Sequence, residues 1–182
     1  MHAAPGLCLL LLLAAPIGAC GSASGPAPAP PAARATSVTG DASCAADVGQ
    51  NLTFSGDLAG HLACPAGAHA TCAQYRGATT AGLAVTIGLH AGPSEAQLFI
   101  TPGVNYTGTP ARYTTEKAVK EEGNSVGLDG AGHWISTPGG TFAVTADDAR
   151  VVRGTVDVTL EGPGTAKAHV TGSWSCVWVG RD

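Results

Sequence analysis

The chain has 182 residues, enough for one domain with a linker and too few for two independent cores. Hydrophobic residues make up 45%, aromatics 5% and charged residues 12%, and 26 glycines with 12 prolines disfavour long helices and favour short strands joined by tight turns. The net charge is −4, with nine Lys and Arg scattered among thirteen acids, so the basic patch that a nucleic-acid partner requires is absent.

In chain order the first feature is an apolar run, Gly6 to Gly18 (GLCLLLLLAAPIG), of secretory-signal length and too short to span a bilayer as a helix. It ends in Ile17-Gly18-Ala19-Cys20, which resembles the lipobox of bacterial lipoproteins: a branched apolar residue, two small residues that a peptidase grips as extended backbone, then cysteine. The resemblance implies a signal peptide over residues 1–19, cleavage before Cys20, and lipid on the Cys20 sulfur and new amine. Two or three acyl chains anchor stably, since each buried methylene contributes about 0.8 kcal/mol. The membrane is therefore the first expected partner, with the domain on its extracytoplasmic side. No Lys or Arg precedes the apolar run, which points to a start codon upstream of Met1.

Residues 20–43 read as the lipidated cysteine and a disordered Pro, Ala, Gly and Ser linker, able to reach about 70 Å if fully extended. The composition changes near Cys44, and residues 44–182 are expected to form one β-rich extracytoplasmic domain. There the apolar period is two. Leu52, Phe54, Leu58, Leu62 and Cys64 share a parity, with Gly56 and Gly60 suited to a bulge or close strand packing. Leu83, Val85, Ile87 and Leu89 alternate likewise, and AQLFITP follows across a GPSE turn as the second strand of a hairpin. GHWISTP and TFAVTA flank Gly139-Gly140, and two longer strands flank Gly162-Pro163-Gly164. In the last of these, Ala168, Val170, Trp174, Cys176 and Trp178 oppose Lys167, His169, Thr171, Ser173 and Ser175, giving one core face and one wet face. Thr114 to Glu122 is the one segment with a helical alternative. The expected fold is all-β, an antiparallel β-sandwich or open barrel of about eight strands.

Of six cysteines, Cys8 leaves with the signal and Cys20 takes lipid, so Cys44, Cys64, Cys72 and Cys176 remain. An even number in an exported domain suggests two disulfides, with Cys44–Cys176 and Cys64–Cys72 the favoured pairing. Neither Cys-x-x-Cys nor His-x-x-x-His spacing is present, so no metal ligand set and no cofactor is assigned.

Gly123-Asn124-Ser125-Val126-Gly127 matches the nucleophile-elbow pattern, but strand and turn material follows where a helix is needed, so it reads as a turn. His61, His69, His90, His133 and His169 lack helical pairing and fit outer strand faces, while Asp129, Asp147 and Asp148 suit turns. No catalytic residue is assigned. Val104 to Tyr113 combines aromatic, basic and turn residues, making Tyr106, Arg112 and Tyr113 a candidate binding edge.

With the lipobox, the Pro/Ala spacer, the period-two body and the closing VTGSWSC, the chain resembles small cell-surface lipoproteins of high-GC actinobacteria, including the mycobacterial lipoprotein-antigen group. That resemblance implies a disulfide-pinned β domain without an established reaction. The leading expectation is a non-enzymatic envelope lipoprotein that binds a ligand or partner, a small apolar molecule or an envelope protein, through a sheet face or loop edge; a carrier of an apolar ligand should show an interior cavity lined by the Leu83–Leu89 and Trp174 faces. The alternatives are an envelope hydrolase or metal-handling protein using the histidines, and a structural surface antigen or spacer.

Overall fold

Alternating burial runs through the strands of the computed structural model, which describes residues 34–40, 49–64, 70–74, 82–103, 105–116, 123–148 and 150–179. The strands are β1 (Thr36–Thr39), β2 (Gln50–Gly56), β3 (Leu58–Cys64), β4 (Ala70–Gln74), β5 (Leu83–Ala91), β6 (Ser94–Gly103), β7 (Ala111–Thr114), β8 (Ser125–Asp129), β9 (Trp134–Ser136), β10 (Thr141–Asp147), β11 (Val151–Glu161) and β12 (Lys167–Trp178). The protein is all-β. Nine of the strands close into a barrel in the order β1-β3-β2-β12-β11-β9-β8-β6-β5 and back to β1, with β4, β7 and β10 added to it.

Pairing is antiparallel except for two short parallel contacts, β1 with β3 and β4 with β12. The β5–β6 hairpin forms as its alternation requires, with His90 opposite Glu95 and Ala91 opposite Ser94. The β11–β12 hairpin keeps register from Val151↔Val177 to Glu161↔Lys167. The strands flanking Gly139-Gly140 behave differently: β9 and β10 both pair with β11, at Leu160–Glu161 and at Val152–Asp157, and so lie end to end along it. Ser125 of the Gly-x-Ser-x-Gly pattern begins β8, so this segment enters a strand rather than remaining a turn.

One boundary shifts. Thr36–Thr39, expected within the linker, is β1; Val38 is buried, and Ala33–Asp182 forms one compact unit. Four residues with a single inward side chain gave no periodic signal. β1 fits because Gly60 lets its backbone pass close to β3, where a Cβ would overlap the Val38 carbonyl. The signal segment, Cys20 and most of the linker lie outside the described residues.

The four short turns β2–β3, β5–β6, β8–β9 and β11–β12 share one end of the barrel with the start of β1, here called the hairpin end. At the opposite end, here called the loop end, lie the end of β4, the start of β5, the end of β6 and the start of β8. The interior is filled by side chains. Leu52, Phe54, Leu62, Leu83, Ile87, Leu98, Leu128, Leu160 and Trp174 are each at most 2% exposed. The Trp174 indole lies over Gly154, where a Cβ would collide with the ring, and donates to the Thr155 carbonyl at 3.2 Å. Removing such surface from water contributes about 25 cal/mol per Å².

Candidate functional site

The strand parity that builds the barrel also decides which expected site residues reach solvent. Arg112 is exposed on β7, the last strand in the sheet order, whose only strand partner among the described residues is β10. The two tyrosines expected beside it face inward. Tyr113 is 7% exposed and stacks on Phe142 with ring centroids 5.3 Å apart, and burial raises its phenol above the ordinary value of 10.0. Tyr106 is fully buried and its hydroxyl donates to Asp147 Oδ2, while Trp178 Nε1 donates to Asp147 Oδ1 at 3.0 Å. These tyrosines secure the segment before β7 and the edge strand from inside, so of the expected binding edge only Arg112 and the β7 backbone face outward.

The disulfide pairing also differs from expectation. Cys72 on β4 bonds Cys176 on β12, with Cα atoms 5.3 Å apart and both residues fully buried. The favoured Cys44–Cys176 and Cys64–Cys72 pairs are therefore excluded. The cause is the parallel β4–β12 contact, which brings two inward-facing cysteines together from 104 residues apart. Cys44 and the side chain of Cys64 lie outside the described residues.

Two clefts lie on the outer wall. The first, about 470 Å³, is lined by Gly88, His90, Glu95, Gln97, Asp129 and Gly130. Its geometry follows from register: His90 opposes Glu95, and Gln97 opposes Gly88 on one side and Asp129 on the other. Gly88 supplies no side chain, so the wall is recessed between two polar cross-strand pairs. Asp129 is further tied to His133 Nδ1 at 2.8 Å, an exposed contact. No single motif marks this cleft; the legible signal was that His90 and Glu95 flank a hairpin turn on its outward parity.

The second cleft, about 420 Å³, runs from the Thr137–Thr141 turn to Asp157, Thr159 and His169. His169 Nε2 is 3.1 Å from Asp157 Oδ1, and His169 Nδ1 is 3.4 Å from the Thr159 hydroxyl, its direct cross-strand neighbour. Elsewhere His61 meets Asn51 Oδ1 at 2.8 Å on the outer face, and His69 lies outside the described residues. Among the described residues no three His, Cys, Asp or Glu side chains come together in a way that could hold a metal ion.

Asp148 is a turn-former, as expected. The Val151 and Arg150 amides donate to its Oδ1 at 2.7 and 3.1 Å, and these bonds, with a smaller contribution from Arg153, hold its carboxyl below the ordinary value of 3.8. No family model, curated protein or solved structure matches this chain.

Proposed function

We propose that the chain is a lipid-anchored extracytoplasmic domain of a bacterial cell envelope that binds a polar ligand or a polar segment of an envelope partner and catalyses no reaction. The carrying observation is a contrast: the inward faces of Leu83, Val85, Ile87, Leu89 and Trp174 are packed to 3% exposure or less, while the two clefts described above lie on the outer wall, the first with His90, Glu95, Gln97 and Asp129 in its lining. A small apolar ligand in the interior is accordingly replaced by a ligand rich in hydrogen-bonding groups at His90, Glu95, Gln97 and Asp129. The anchor reading is supported by the Ile17-Gly18-Ala19-Cys20 sequence and by the entry of the chain at Arg34–Thr36 beside the hairpin end.

Two measurements test the reading. Cys20→Ala should release the protein from the membrane fraction; undiminished membrane association would remove the anchor. Titrating the full chain with a neutral oligosaccharide and a short oligoamine should shift amide resonances of Gly88–His90 and Glu95–Gln97, and Gln97→Ala should weaken the response. Perturbations elsewhere, or none with either probe, would remove the cleft.

A hydrolase reading has one observation in its favour, the Asp157–His169–Thr159 array in the second cleft. It is the lesser reading because 3.4 Å is long for a hydroxyl poised to lose its proton.

A further inference from the structure

At the loop end, β12 changes partners. It pairs with β2 from Ala168 to Ser173 and with β4 at Val177 and Trp178, so among the described residues Trp174, Ser175 and Cys176 meet no strand on that edge. Gln50, the first residue of β2, fills the fork: its Nε2 donates to the Ser175 carbonyl at 2.6 Å. Among the described residues, Gln50 Oε1 and Ser175 Oγ are left buried without a hydrogen-bond partner, in residues 2% and 3% exposed. Such orphaned groups disfavour the closed seam and would be satisfied if water entered. Opposing that opening are the two-rung parallel contact, the Val179 amide bonded to the Cys72 carbonyl at 2.8 Å, and the Cys72–Cys176 bond.

The closed ring does not depend on β4. β1 joins β3 to β5 at the hairpin end through Val38↔Ala91 and Thr39↔His90. β4 would stay attached to β5 by five register pairs, and the end of β12 would stay attached to β10 by the Trp178–Asp147 bond.

We propose that the Cys72–Cys176 bond is a redox latch on this seam: its reduction lets β4 part from β12 at the loop end and admits water to Gln50 and Ser175, while the nine-strand ring stays shut. A dithiol reductant supplies the two electrons. One of its thiolates attacks a cysteine sulfur and displaces the other cysteine as thiolate; its second thiolate then releases the mixed disulfide, leaving two protein thiols and the reductant as disulfide. Both sulfurs are buried, so attack follows transient fraying of the β4–β12 contact.

The test is amide hydrogen exchange on the full chain, oxidised and after dithiothreitol. Reduction should speed exchange at Thr71–Ala73 and Val177–Val179 by about tenfold or more and leave Val156–Leu160 and Leu98–Ile100 unchanged. The Cys72→Ala/Cys176→Ala double variant, which leaves Cys44 and Cys64 untouched, should show the same pattern without reductant. In that background Ser175→Ala, which deletes one orphaned hydroxyl, should slow exchange at the seam. A uniform rise across all strands, or no rise at the seam, would overturn the latch. Failure of Ser175→Ala to slow the seam would overturn the role given to the orphaned groups.

Discussion

At the hairpin end the wall is closed by β1, four residues long, held on both edges and by backbone bonds such as Thr36 N to Asp57 O at 2.7 Å and Gly92 N to Ser37 O at 2.7 Å. At the loop end it is closed by β4, five residues long, whose grip on the end of β12 is two rungs, the Val179–Cys72 backbone bond and one covalent bond. Among the described residues the first closure satisfies its polar groups locally, and the second leaves Gln50 Oε1 and Ser175 Oγ without partners. Unequal local stability of this kind concentrates opening where hydrogen bonding is incomplete. The same barrel can thus be rigid beside its expected tether and yielding at the far end.

Perturbations of graded size separate the two ends. The largest effect should come from the core they share: Trp174→Ala empties the space over Gly154, and its unfolding free energy in urea should fall by about 3–5 kcal/mol. Unaltered stability would mean the two ends do not share a packed core. At the hairpin end, Val38→Ala removes the single inward side chain of β1 and should cost about 2 kcal/mol, with faster exchange at the Gly92 amide that bonds Ser37. At the loop end, Tyr106→Phe deletes the bond to Asp147 and should cost about 1–2 kcal/mol, visible as faster proteolysis before β7 with the hairpin end untouched.

Smaller again are the pH effects, both at the β7–β10–β11 side. The raised Tyr113 phenol contributes stability that is complete below the unfolded value near 10 and is lost as pH climbs through its folded value. Melting temperature should therefore decline in strong alkali, and Tyr113→Phe should flatten that limb. Asp148 has the opposite sign. Its lowered carboxyl stabilises above the ordinary value of 3.8 and that stabilisation is lost as pH falls through the folded value, so Asp148→Asn should reduce the acid dependence slightly, a change measurable by acid titration of the native signal.

Much of the fold was legible because β5, β6, β11 and most of β12 alternate over long runs and their turns carry Gly and Pro, although Ser175, expected on the wet face of β12, is buried between Trp174 and Cys176. What escaped has physical causes. β1 has one buried side chain and borrows its fit from Gly60 on another strand, so nothing local announces it. The cysteine pairing turned on a parallel contact between segments 104 residues apart, which periodicity does not encode. Tyr106 and Tyr113 were read for their chemistry, whereas alternation in Ala111–Thr114 already set Tyr113 opposite to Arg112. The first cleft was half legible: hairpin register pairs His90 with Glu95, but Asp129 joins only once β8 docks on β6.

The placement of β12 bears on how the chain acquires this structure. The last strand in sequence pairs with β2, β4 and β11, so the earliest strands of the barrel find their central partner only when the final residues arrive. The β11–β12 hairpin, local and long, is the natural nucleus, and the distant partners must diffuse to it at the expense of loop entropy. The β2–β12 edge of the ring therefore closes only after that hairpin has formed, which makes closure of the ring a late step of folding.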